Sequence, residues 1–325
     1  MKYIVLLSTA FLLIVLLFFE NLYGQDQKSN LTLKSNLNAP KVDTATSLSS
    51  NFQNISKNLK VVSSFFPIGE FVKKIGGNLI ESFLLVPFGS EPHDFEPTIS
   101  QIQIANTADV LIYNDLGIDN WIAKINTANK IDASKGINAT YTDKRNMTLD
   151  PHVWLDPILA KKEAENIRDG LIKLDFKNKG YYINNTKKFL DQLNNLDKTI
   201  RTDLQSCKKK DFISFHNAFS YFAKRYGLIP HSISSVSPEA EVTPEQLVKI
   251  INIAKDLQLH IIYSEELMDP RYASVIAQEI PNGKVLILSP IEGLTKIEQN
   301  SGMGYMEKMQ QNVRNLMQGL DCIKS

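Results

Sequence analysis

The sequence predicts an α/β protein of two lobes, each a mostly parallel sheet flanked by helices, joined by one long rigid backbone helix. Three observations carry this. From residue 59 onward, short and nearly continuous apolar runs alternate with amphipathic segments, the pattern of parallel strands covered on both faces. The alternation is interrupted once, by a long helical stretch near the middle, and then resumes. The chain has 325 residues, room for two domains of ordinary size.

The elements follow in order. "LKVVSSF" (59–65) reads as a strand and "IGEFVKKIGG" (68–77) as a helix closed by glycine. A strand (80–87), a helix (98–108), a strand (109–114) and a helix (118–125) continue the first lobe. A helix over 157–174 precedes the long one, "YYINNTKKFLDQLNNLDKTIRTDL" (181–204). There Tyr182, Phe189, Leu193, Leu196, Ile200 and Leu204 fall at helical spacing. At 1.5 Å per residue this spine runs about 36 Å, enough to cross a domain. Strands at 211–215 and 228–235 enclose a helix. The helix over 243–258 opens with Thr243 as N-cap, Pro244 at its first position and Gln246 closing a capping box. Strand 261–266, helix 270–280, strand 284–290 and helix 304–320 complete the second lobe. The predicted partition is 58–175 and 207–325 for the lobes and 176–206 for the linking helix.

Ahead of the lobes, Met1-Lys2 precedes the apolar run 4–19, which reads as an export signal or membrane anchor over residues 1–20. No clean A-x-A site follows it, and no nearby cysteine offers a lipid attachment point. Residues 21–57 are rich in Asn, Ser, Thr and Lys and bury too little apolar area to fold alone, so they read as a flexible polar tether. Either fate of the signal places the lobes outside the cytoplasm, at a cell surface or in a periplasm. The formal net charge of +1 argues against a general nucleic-acid binder. Two cysteines, Cys207 and Cys322, are compatible there with one disulfide or with two separate buried thiols. A bridge is the expectation, since it would pin the last helix to its lobe.

Ligands of open α/β sheets bind beyond the C-terminal ends of the strands. His93 lies six residues past one predicted strand, His216 directly follows another, and Glu292 lies just past a third. His152 sits in the proline-bracketed loop "LDPHVWLDP". Three imidazoles and a carboxylate, two from each lobe, suit a tetrahedral Zn2+. Any one of them alone reads better as a solvated loop residue; the coincidence of position lifts the set above that. His231 and His260, in or beside strands without acidic company, read as ordinary. Asp94, Glu96 and Asp156 are expected to serve turns, caps or the orientation of imidazoles.

The segments "SEPHDFEPTISQIQIANTADVLIYNDLGIDNWIAKI", "DPHVWLDP", "FISFHNAFSYFAKRYGL", "EAEVTPEQL" and "LSPIEGLT" resemble the zinc-type solute-binding proteins of metal-uptake ABC transporters, in order from about residue 59 to the C-terminus. The resemblance implies His93, His152 and His216 as ligands, and a histidine rather than a glutamate at 216 favours Zn2+ over Mn2+. Many members carry Asp where this chain has Ser289; one branch uses the Glu of the P-I-E-G-L-T segment, which is Glu292. The loop before His152 lacks the His- and acid-rich insert of many members. The implied function is a non-catalytic, high-affinity carrier, a monomer, delivering Zn2+ to a permease with a cytoplasmic ATPase. The alternatives are a zinc-dependent hydrolase, with Glu96 or Glu265 as base, and a surface adhesin on the same fold.

Overall fold

In the computed structural model, residues 58–143, 148–235, 237–238 and 242–323 are described. The signal or anchor read over 1–20 and the tether over 21–57 lie outside them. Two four-stranded sheets carry the architecture, both wholly parallel. The first contains β1 (Leu59–Ser63), β2 (Ile80–Leu84), β3 (Val110–Tyr113) and β4 (Lys130–Asp132) in the order β2-β1-β3-β4. Its register pairs Leu59 with Ile80, Val61 with Val110 and Ile112 with Ile131. The second contains β7 (Asp211–Ser214), β8 (Ile229–Ser232), β9 (Ile261–Ser264) and β10 (Lys284–Ile287) in the order β10-β9-β7-β8. Each order reverses direction once, at β1 and at β7. Such a reversal leaves a crevice at the C-terminal edge, where the two connections depart to opposite sides.

The helices form where apolar spacing and caps agree. Helix α1 (Phe66–Gly76) buries Phe71, Val72 and Ile75 against the first sheet, and α2 (Ile99–Asn106) opens on a Thr98/Gln101 capping box. Asp156 caps α3 (Pro157–Leu174) by accepting from Ile158 N at 2.9 Å. The spine, α4 (Lys179–Gln205), spans 27 residues, about 40 Å at helical rise. Its six predicted apolar positions are all buried. They pack against α1, α3, α5 (Ser220–Tyr226) and α9 (Tyr305–Gly319). One hydrophobic core therefore runs without a break from Val61 and Phe71, through Phe189 and Leu196, to Phe212, Tyr263 and Met309. A second cluster, including Ile213, Ile250, Ile262 and Ile276, fills the other face of the second sheet beneath α6 (Pro244–Asp256) and α7 (Arg271–Gln278). The Thr243/Gln246 capping box forms as the sequence predicts.

Three differences from the sequence reading have simple causes. The helix expected over 118–125 is a short 3-10 turn, Asn120–Lys124, because only Trp121 and Ile122 within it have an apolar face to bury. Strand β4 and the hairpin of β5 (Tyr141–Asp143) and β6 (Thr148–Leu149) were not expected: with two or three residues each, they are too short to show an alternation. A five-residue helix, α8 (Lys296–Asn300), follows a Thr295/Glu298 capping box. Cys207 and Cys322 are bridged, closing a sequence separation of 115 residues.

Candidate metal centre

His93, His152, His216 and Glu292 each present one ligand-type atom to a common point, and these atoms all lie within 4.8 Å of one another. His152 Nε2 is 3.3 Å from His93 Nε2 and 3.1 Å from His216 Nε2. Glu292 Oε1 lies 2.8 Å from His152 Nε2, 3.2 Å from His93 Nε2 and 3.4 Å from His216 Nε2. Four donors about 2.0–2.1 Å from a tetrahedral ion would be about 3.3–3.4 Å apart. Five of the six edges, at 2.8–3.4 Å, thus come close to those of such a tetrahedron.

The backbone explains the convergence. His93 hangs from the loop after β2, His216 from the end of β7 at the reversal of the second sheet, and Glu292 from the loop after β10. His152 precedes the turn that enters α3. His152 and His216 are fully buried. Their orientation is set on the far side of each ring. Asp150 Oδ1 lies 2.8 Å from His152 Nδ1, and Glu265 Oε1 lies 2.7 Å from His216 Nδ1. Each carboxylate also accepts the histidine's own backbone N–H, at 3.1 Å in both cases. A ring that donates from Nδ1 turns the lone pair of Nε2 inward. Glu91 Oε1 takes the backbone N–H of His93 in the same way, at 3.1 Å.

The charges are tightly balanced. Burial disfavours an ionised Glu292, but the imidazoles of His216 and His93 outweigh it and hold the carboxyl well below its ordinary range. Burial likewise opposes a charged His216; Glu265 and Glu292 reverse this and hold its pKa well above the usual value. His152 is raised as well, its hydrogen bonds to Asp150 and Glu292 overcoming burial. At His93 burial prevails and the pKa falls. Burial, reinforced by Glu292, pushes the Glu91 carboxyl up to about 9. Three buried carboxylates (Asp150, Glu265 and Glu292) ring the point of convergence, and a divalent cation there would offset their charge.

All four residues predicted for the site come together; of the three acids expected to serve turns, caps or the orientation of imidazoles, Asp156 is a cap and none is placed behind a ring. Asp94 accepts from Ser237 Oγ at 3.2 Å, Glu96 pairs with Lys124, and Asp156 caps α3 and pairs with Arg225. Asp150 and Glu265 take that role instead. One signal for Asp150 was present: both first-lobe histidines stand in an acid-Pro-His triplet, "EPH" and "DPH". Glu265 comes from the end of β9, and nothing local to His216 points to it. Nor is His231 without acidic company: Asp211 of the neighbouring strand lies 2.8 Å from its Nε2. His260 lies beside Lys209 and Asp321, on the surface.

Known proteins match along most of this chain. A family model described as "ZnuA: Zinc-uptake complex component A periplasmic" matches residues 61–319. The high-affinity zinc uptake system protein ZnuA of Bacillus subtilis (strain 168) is 37% identical over 280 residues, covering 81% of this chain and 88% of that protein. The zinc-binding protein AdcA of Streptococcus pyogenes serotype M1 is 32% identical over 285 residues; these span 79% of this chain but 55% of AdcA. Among solved structures, the metal-dependent lipoprotein YcdH of Bacillus subtilis superposes with a TM-score of 0.72 at 38% identity, over 81% of this chain and all of that one. With the family model spanning both sheets, the spine and every residue of the four-donor cluster, the chain belongs to the family of periplasmic zinc-uptake complex component A proteins.

Proposed function

We propose that His93, His152, His216 and Glu292 together bind one Zn2+ as cargo, and that the protein delivers it, outside the cytoplasm, to a membrane permease driven by a cytoplasmic ATPase. The observation that carries this is the near-tetrahedral spacing of four donor atoms drawn from four separate segments. Family membership supports zinc, as does a third imidazole where a manganese site would favour oxygen. Carriage rather than catalysis follows from the same donors. A hydrolytic zinc keeps one position for water beside a general base. Here a fourth protein donor faces that position, and Glu265 is engaged with His216. The working unit is a monomer of two lobes, 58–175 and 207–325, about the linking helix 176–206, with residues 1–20 as signal peptide or membrane anchor and 21–57 as a polar tether.

Elemental analysis of the purified protein should find one zinc per chain, and X-ray absorption should give three nitrogens and one oxygen from protein. Replacing any one histidine with Ala should weaken Zn2+ binding by about two or more orders of magnitude while leaving the fold intact. If two of the three single variants bind like wild type, the assignment is wrong. Glu292→Ala should admit water to the fourth position.

A further inference from the structure

Ser289, at the position where the family resemblance implies an acid, is buried and has three partners. Its Oγ donates to Glu266 Oε1 and accepts the N–H of Ile291 at 3.0 Å. Its backbone is held on both sides by Asn312 of α9: N to Oδ1 at 2.8 Å, and O from Nδ2 at 2.6 Å. Glu266 in turn meets Lys308 Nζ at 2.7 Å, and the same ammonium meets Glu298 of α8 at 2.7 Å. Lys308 is wholly buried. The turn these groups hold is unusual: Ile291 is a β-branched residue at φ 62°, a left-handed conformation disfavoured for such side chains. Glu292 is the next residue. Buried ion pairs seldom repay their desolvation in stability alone, so one at this place invites another reason.

We propose that Ser289, Glu266 and Lys308 are positioning residues: a buried relay from the C-terminal helix that holds the strained Ile291 turn and so presents Glu292 to the metal. This rests on the reading of Glu292 as the fourth ligand. The consecutive acids Glu265 and Glu266 then divide one task at the end of β9. Glu265 orients His216 directly, and Glu266 orients Glu292 through Ser289. Both second-lobe donors are thus referenced to a single point of the sheet. The serine hydroxyl thus acts as a brace, and the glutamate three residues on reaches the ion.

The test is a double-mutant cycle in Zn2+ affinity, read by competition with a chelating dye. Ser289→Ala should weaken binding about tenfold in the wild-type background, and Ser289→Thr, which keeps the hydroxyl, should stay within about twofold. In a Glu292→Ala background, Ser289→Ala should cost nothing further. An equal loss in both backgrounds would mean a general structural role and would overturn the proposal, as would no loss at all. If Glu292→Ala itself binds like wild type, the ligand reading falls and takes this inference with it. If Glu292→Ala is weakened but Ser289→Ala is not, only this inference falls. Should Ser289→Ala fail to fold, the metal-free wild type still decides. The Ile291 amide should exchange at least about a hundredfold more slowly than in an unfolded chain, and an unprotected amide would sink the idea.

Discussion

A single hydrogen bond behind each ring decides what His152 and His216 can do. With Nδ1 donating to Asp150 or Glu265, the ring has one tautomer and one facing available, and its Nε2 is committed to the centre. Asp150→Asn and Glu265→Gln should each lower Zn2+ affinity by about 10- to 100-fold without removing a ligand, measurable in the same dye competition. A different buried acid should shape stability. Asp119 lies in the loop after β3, accepting from Asn114 N at 3.0 Å, and burial raises its pKa to about 7. The folded form therefore holds a proton that the unfolded chain gives up near 3.8, the ordinary value of an aspartate carboxyl. Its contribution is whole below that value and is lost as pH rises towards 7. Asp119→Asn should remove this loss. In denaturant titrations the variant should gain on wild type between pH 4 and 7.5, by up to about 4 kcal/mol at 1.36 kcal/mol per unit. A constant difference across that range would contradict the assignment.

Among the elements, the spine carries most. Leu193 is fully buried at the middle of α4, within the core that joins both sheets. Leu193→Ala should cost about 2–5 kcal/mol in urea unfolding, with both lobes melting in one transition because they share that core. Two separate transitions would show that the core does not couple them. The spine was plain in the sequence because seven turns of 3.6-residue periodicity are hard to mistake, whereas β4, three residues long, has too little length for any pattern. The site divides along a similar line. His93, His152, His216 and Glu292 could be read because each follows or brackets a recognisable element end. Glu265 could not, since its partner is 49 residues away and the pairing exists only once β7 and β9 lie side by side. Ser289 was legible as a departure from a family pattern, but its partners Glu266 and Lys308 come from other elements and could be found only in three dimensions.

For the molecule as a whole, the bridge between Cys207 and Cys322 and the bound ion should act as separate stabilisers. The bridge ties the end of the spine to the end of α9. In the chain-entropy view, a loop of that length is worth about 4–5 kcal/mol. Thiol labelling of unreduced, denatured protein should find no free cysteine; two labels would rule the bridge out. Zinc at a thousand times its dissociation constant should add about 4 kcal/mol, and reduction should leave that increment unchanged because Cys207 precedes β7 and His216 follows it, at opposite ends of the strand.

The four donors are scattered along the chain, His93 and His152 being 59 residues apart, His152 and His216 64, and His93 and Glu292 199. An unfolded chain offers these side chains one at a time, with nothing to hold any two of them at the edge length of a coordination tetrahedron. An unfolded polypeptide would therefore hold metal poorly, even in surroundings rich in it. The four-donor site is complete only when the loop after β10 brings Glu292 across to the histidines. Capture is thereby a property of the finished fold, and the topology itself denies the ion to any chain that has not yet reached it.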